Sequence, residues 1–432
     1  MRILMLTDLY PPLIGGLEQH VRNLSGALVA RGHEVAVVTL HQEGLATFEI
    51  DQGARVYRVR GTAQRLGALF SDGGRRFAPP LPDPETMLAL RAIIRRERPE
   101  IIHGHNWLIH SALPLKRWSG AKLVASLHEY SLACARKDLA HRGKVCDGPA
   151  LGKCIGCASA HYGKAKGIPT ALATAALGGI ERRMADMFLP VSQAVAAGNG
   201  LIGGRAPYRV IPNFIPDDAA DASDETAACL DDLPDAGFLL FVGALNRHKG
   251  IEPLLRAYAA LRDAPPLVLI GSTWPDTPKD FPANAIVLKN WTQRAVMAAW
   301  RRCGVGIVPS VWPEPWGAVA MEAMIVGKPV VASRTGGLAD IVAHERTGLL
   351  VPPGDVAALR DALQALIDDP ARRAALGEAG RRRVRERFTA SVVVPEIEGV
   401  YRGLLNGTGR TALAVIGPAA MGTAQHERDK VA

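Results

Sequence analysis

The chain has 432 residues, more than one compact core ordinarily holds and a natural length for two domains of about 200 residues each. With 48% hydrophobic and 22% charged residues it is neither disordered in bulk nor fibrous. Lys plus Arg number 51 against 42 Asp plus Glu, a net +9 that favours anionic partners; the excess sits in clusters such as Arg182-Arg183 and Arg381-Arg382-Arg383 without interleaved aromatics, which reads as solvated helix faces and not a nucleic-acid groove.

In chain order, Arg2 to Asp8 reads as a first strand, and its apolar run is too short for a signal-peptide core. Gly15-Gly16 follows, then an amphipathic helix to about Arg31. Glu34 to Leu40, Arg55 to Val59, Ile101 to His105 and Lys122 to His128 are further strand candidates, several separated by helical patterns, which implies βαβ units and a parallel sheet. Gly61 to Pro84 is rich in Gly, Pro and Arg and reads as a long irregular loop. The longest weakly polar stretch, Ile168 to Ile180, covers about half a bilayer, so a cytoplasmic protein is expected. Asp186 to Ser192 and Tyr208 to Pro212 complete the first set of strands.

Asp217 to Asp235 is acidic and Ala-rich, which places the interdomain boundary there: an N-terminal domain over 1–216 and a C-terminal domain over 217–388. The second alternating set runs through Gly237–Leu245, Pro266–Gly271, Ala285–Asn290, Val305–Ser310 and Pro329–Ser333. Pro370 to Arg387 is a charged helix, Val392 to Leu405 is amphipathic, and 406–432 reads as a frayed tail. The expected class is α/β, two Rossmann-like doubly wound domains.

Three motifs carry chemistry. Gly15 and Gly16 stand at a strand-to-helix turn, where a phosphate can approach backbone amides at a helix N-terminus; a tight turn without a ligand explains the same residues. Asn246-Arg247-His248-Lys249-Gly250 puts cations at the carboxyl end of a strand, well placed to neutralise a diphosphate. In the segment Pro309 to Ala323, Glu314 and Glu322 stand eight apart with Gly317 between them, so carboxylates for sugar hydroxyls and amides for phosphate oxygens share one loop and helix start; a surface residue and a helix cap are the plainer reading of the two acids.

The order of Gly15-Gly16, His103-Gly104-His105, the Val242-Gly243 to Lys249-Gly250 turn, the Glu314 to Glu322 element, Gly336-Gly337 and Thr347 to Val351 resembles the retaining GT-B glycosyltransferases of the glycogen-synthase-like superfamily, glycosyltransferase family four, over about residues 2 to 404. The resemblance implies a GT-B fold, two domains facing across a cleft, with the helix near 389–405 packing back on the N-terminal domain. It implies a donor site of Gly15, Gly16, Arg247, Lys249, Asn290, Trp291, Glu314, Gly317, Ala318, Val319 and Glu322, in which Glu322 binds the ribose, Glu314 the transferred sugar and Lys249 the diphosphate. His105, Glu314 and Lys249 would be the catalytic group, His105 facing the reacting sugar. The chain departs from the pattern at Ala244, where the family usually has Arg.

The expected reaction moves a sugar from a nucleoside-diphosphate sugar to a hydroxyl acceptor (a glycan, a lipid-linked glycan or a small molecule) in polysaccharide or glycoconjugate synthesis, with retention and without a catalytic metal. The rivals are a nonenzymatic nucleotide-sugar-binding protein and a GT-B phosphorylase or epimerase. The Arg-rich loop near Arg75 suggests peripheral contact with an anionic membrane. Cys134, Cys146, Cys154 and Cys157 fall in one insertion, Cys154-x-x-Cys157 has knuckle spacing, and His128, His141 and His161 are nearby alternative ligands, so a structural zinc ion and a set of reduced thiols are both open. Cys229 and Cys303 are expected to be unpaired.

Overall fold

The computed structural model describes residues 1–13, 15–65, 77–221 and 230–407. Two sheets organise it. The first is built on short, almost wholly buried strands: β1 (Arg2–Thr7), β2 (Glu34–Leu40), β4 (Ala54–Val59), β5 (Ile101–Gly104), β6 (Lys122–Leu127) and β9 (Met187–Pro190) all run parallel, and β3 (Phe48–Asp51) pairs antiparallel with β4 at the edge. Its order is β3-β4-β2-β1-β5-β6-β9. The second sheet is all parallel, in the order β12-β11-β10-β13-β14-β15: β10 (Leu239–Val242), β11 (Leu267–Ile270), β12 (Ala285–Leu288), β13 (Val305–Val308), β14 (Val330–Ser333) and β15 (Gly348–Val351). Strands covered on both faces read as continuous apolar runs, which is how LLFV, LVLI and VVAS betray themselves.

The helices pack on these sheets by apolar stripes, and several begin at side-chain caps. In α1 (Gly16–Ala30), Val21, Leu24 and Leu28 recur at helical spacing and are buried. Asp83 caps α2 (Pro84–Glu97) through the Thr86 N–H. The insertion after β6 folds into a two-strand hairpin, β7 (Ala140–His141) and β8 (Lys144–Val145), and two helices, α3 (Leu151–Tyr162) and α4 (Lys164–Met184). Ser192 caps α5 (Gln193–Gly198). In the second lobe follow α6 (Ile251–Ala259), α7 (Gln293–Arg302), α8 (Ala318–Ile325), α9 (Val356–Asp368) and α10 (Pro370–Arg387). The last helix, α11 (Ala390–Leu405), returns to the first lobe. Its Val393, Val394, Ile397, Val400, Tyr401 and Leu404 share a core with Ile3, Met5 and Val21, and its buried Glu398 accepts from Arg31 at 2.8 Å and meets His33 at 2.7 Å.

The chain therefore crosses between lobes twice, and the crossings hydrogen-bond to each other: the Ile215 N–H donates to the Phe388 carbonyl (2.9 Å) and the Ala390 N–H to the Ile215 carbonyl (3.0 Å). Several elements differ from the sequence reading. Tyr208 to Pro212 forms a single bridge to Phe188 and no strand, since Pro207 and, on β9, Pro190 cannot donate to a ladder. Phe48–Asp51 and Val356–Asp368 are elements to which that reading assigns nothing. Arg75, on which the membrane reading leans, and the tail from 408 lie outside the described residues; no helix among those described is long and apolar enough to cross a membrane.

Candidate functional site

In a doubly wound sheet, ligands sit beyond the carboxyl ends of the strands where the strand order reverses, between β1 and β5 in the first lobe and between β10 and β13 in the second. The sequence candidates fall largely at these two places. After β1 come Asp8 and the Gly15-Gly16 turn; His105 follows β5. After β10 comes the cationic turn, and Ser310 to Glu314 follow β13.

Glu314 is the most heavily bonded of them. Its two carboxylate oxygens receive Lys249 Nζ at 2.9 and 2.7 Å, and Oε2 also accepts from Ser310 Oγ (3.0 Å) and Trp312 Nε1 (3.0 Å). Four hydrogen bonds from three side chains hold a nearly buried carboxylate in one orientation. Two glycines hold the backbone beneath it. A Cβ on Gly336 would fall 1.9 Å from the Glu314 carbonyl oxygen, at φ 54°, and the Gly337 N–H donates to that same oxygen at 2.7 Å. On the cationic turn, Gly250 takes φ 76° and a Cβ there would fall 1.9 Å from the Pro309 carbonyl oxygen, so the turn and the Glu314 loop lie against each other.

The loop also reaches the other lobe. Tyr130 donates its hydroxyl to the Pro313 carbonyl (2.9 Å), Ser192 its hydroxyl to the Pro315 carbonyl (2.8 Å), and Asp340 accepts the Gln193 N–H (3.0 Å). Glu314 and Lys249 are thereby placed at the crevice between lobes. Gly317, at φ 101°, caps α8, so Ala318 and Val319 open that helix. Glu322, one turn further, accepts from Gln293 Nε2 (2.9 Å) and Trp300 Nε1 (3.2 Å), and burial raises its pKa above the ordinary carboxyl value despite those donors. Trp291 and Asn290, the latter at φ 59°, stand at the end of β12 just before Gln293; β11 separates their strand from β10. Arg247 is exposed, its backbone N–H held by Asp276 (3.0 Å). Ala244 stands in the turn ahead of these cations.

In the first lobe, a Cβ on Gly16 would meet no atom within 4 Å, whereas one on Gly15 would fall 2.0 Å from Glu18 Oε2, so a carboxylate lies against the start of α1. His105 is buried, its Nδ1 3.0 Å from His128 Nε2 and its Nε2 without a hydrogen-bond partner. Burial, reinforced by His103, His128 and His20, holds its pKa well below the usual imidazole value, so it is neutral. His20 of α1 stacks edge-on to His128 (centroids 5.0 Å) and burial lowers it to about 4; His103 is bound between Tyr401 (2.6 Å) and Ser126 (2.8 Å) and lowered to about 3. Sequence reading did not bring His20 and His128 to His105, because their meeting depends on β1, β5 and β6 lying side by side. Asp8, fully buried, is pushed up to about 6, chiefly by burial.

The arrangement can grip an anion with Lys249, Arg247 and two helix starts, and a polyhydroxylated group with Glu314 and Glu322. Two family profiles match the chain side by side: "Glycosyltransferase Family 4" over residues 14–219 and "Glycosyl transferases group 1" over 232–383. Among curated relatives, the glycogen synthase of Mycobacterium tuberculosis (strain CDC 1551 / Oshkosh) is 28% identical, with 94% of this chain and 96% of the relative covered. The D-inositol 3-phosphate glycosyltransferase of Arthrobacter sp. (strain FB24) is also 28% identical, covering 84% and 85%. Among solved structures, a sucrose-phosphate synthase from Thermosynechococcus elongatus superposes with TM-score 0.68 at 23% identity over 94% of this chain and 99% of that one. Anabaena HepE in complex with UDP and glucose gives 0.66 at 18% identity over 93% and 100%.

Proposed function

The chain belongs to glycosyltransferase family four and has the GT-B fold, and from that premise we propose that it transfers a sugar with retention from a nucleoside-diphosphate donor to a hydroxyl acceptor, in polysaccharide or glycoconjugate synthesis. The observation that carries the reading is the Lys249–Glu314 pair, bonded at 2.7 Å at the interlobe crevice. When a donor enters, its diphosphate competes with Glu314 for the Lys249 ammonium, and the carboxylate turns to sugar hydroxyls. As the glycosidic bond breaks, negative charge gathers on the leaving diphosphate, where Lys249, Arg247 and the amides near Gly16 and Gly317 stabilise it. Fixed cations and helix starts do the work a divalent ion does elsewhere, so the step needs no metal. Glu322 holds the ribose, and Asn290 and Trp291 border the base. Neutral His105, whose Nε2 has no hydrogen-bond partner, donates or accepts a hydrogen bond at the reacting sugar. Departure and attack on one face give retention, and the lobes exclude water that would otherwise consume the donor.

The relatives' substrates, glycogen and inositol phosphate among them, make UDP-, GDP- and ADP-sugars with glycan and polyol acceptors the first panel. Thermal stabilisation by one donor, followed by NMR of the product anomer, tests the reading. Glu314→Gln is expected to lower kcat/KM by about 100-fold or more. An inverted anomer, a dependence of rate on added Mg²⁺ or Mn²⁺, or conversion of donor without acceptor would each overturn part of it; the last marks an epimerase. Contact with an anionic membrane is proposed only for the acceptor's sake, and absence of salt-sensitive retention on anionic vesicles would remove it.

A further inference from the structure

Cys134, Cys146, Cys154 and Cys157 come from three separate pieces of the insertion: the turn after β6, the residue following β8, and one face of α3, where 154 and 157 are a turn apart. All four line a single cavity of about 30 Å³, enough for one ion. Tyr130, Leu132 and Leu139 anchor the start of the insertion in the first lobe's core, but the part built on α3 has little else to hold it. Its own core is Ala135, Ala158 and Ala171, and α3 buries only Ala158 along twelve residues. A module with so small an apolar core ordinarily relies on a covalent or metal staple.

We infer that these four cysteines bind a structural zinc ion. Their sulfurs have weak partners at present: Cys146 Sγ donates to the Gly148 carbonyl at 3.4 Å and Cys157 Sγ to the Ala140 carbonyl at 3.8 Å, while Arg136 Nη1 donates to Cys157 Sγ at 3.5 Å. Among the described residues no three His, Cys, Asp or Glu side chains stand close enough to ligate an ion as they are, so the sulfurs turn inward about χ1 to reach it. Four Zn–S bonds of about 2.3 Å form, four S–H bonds break and the protons leave to solvent. Redox chemistry plays no part, and a cavity for one ion is too small for an iron–sulfur cluster. The ion would fix the segment that carries Lys137, whose ammonium pairs with Glu129 at 2.9 Å and lies 4.0 Å from the Trp107 ring, beside the crevice residue Tyr130.

Elemental analysis of the purified full chain after gel filtration and a brief chelator wash tests this independently of sugar transfer. About one zinc per chain is expected, released together with reaction of four thiols when a mercurial is added. Cys154→Ser combined with Cys157→Ser should leave less than about a tenth of it, and Cys303→Ser, remote in the second lobe, should leave it intact. Should the double variant fail to fold, Co²⁺ added to metal-stripped wild type should give the visible absorption of a tetrahedral tetrathiolate. Zinc below about a tenth per chain with the four thiols freely reactive in the native protein, iron in place of zinc, or a mass deficit showing disulfides would each overturn the inference.

Discussion

Glu322 joins two demands that conflict: its carboxylate must be ionised to receive ribose hydroxyls, yet burial makes ionisation costly. A carboxyl with a raised folded-state pKa favours the folded state below that value and loses the contribution as pH rises from the ordinary 4.5 through it. Glu322→Gln should therefore raise the urea midpoint of the ligand-free protein at neutral pH and abolish most of the donor-induced thermal shift; an unchanged shift would remove Glu322 from the ribose role. The histidines have the opposite sign. His20, His103, His105 and His128 are all depressed by burial, so their contribution is complete above the ordinary 6.5 and lost as pH falls. Equilibrium unfolding followed between pH 6.5 and 4 should show a steep fall in midpoint, with more than one proton taken up per molecule unfolded. Glu314 and Glu322 were legible in the sequence because a short spacing carries them along one loop and helix start, and Lys249 because it stands in a cationic turn just after a strand. The histidine cluster was not, since no local pattern says that residues 20, 105 and 128 share a wall.

At the scale of elements, the Glu314 loop depends on Gly336, which no side chain can replace in place. Gly336→Ala meets both a left-handed φ and a carbonyl 1.9 Å from the new Cβ. It should cost about 1–3 kcal/mol in chemical denaturation and lower turnover much as Glu314→Gln does, with far-UV circular dichroism unchanged. The buried parallel strands were readable as apolar runs between glycines. What escaped was of two kinds. Phe48–Asp51 is an edge strand with one half-buried face and no apolar run. In α4 the residues are largely Ala, Gly and Thr around Pro169, so its periodicity is faint and its helicity comes from packing on α3.

For the whole molecule, the paired crossings at Ile215 and Phe388–Ala390 form the joint about which the lobes can swing, while Tyr130, Ser192 and Gln193 latch the crevice. Ile215→Pro removes the N–H that bonds Phe388 and should change kcat and KM together while leaving zinc content and donor-free fold intact; a change in neither would place the pivot elsewhere. Two lobes could be read from two sets of alternating strands, but how they lock could not, because it rests on backbone carbonyls at Pro313 and Pro315.

The return of α11 to the first lobe also sets a birth order. As the polypeptide emerges from a ribosome, residues 1–216 appear early yet lack the wall that Val393, Ile397, Tyr401 and Leu404 supply. The lobe made second has all its strands and can close first, whereas the lobe made first stays open to chaperones until α11 emerges. A stop codon ahead of residue 390 would thus ruin the half of the protein translated earliest.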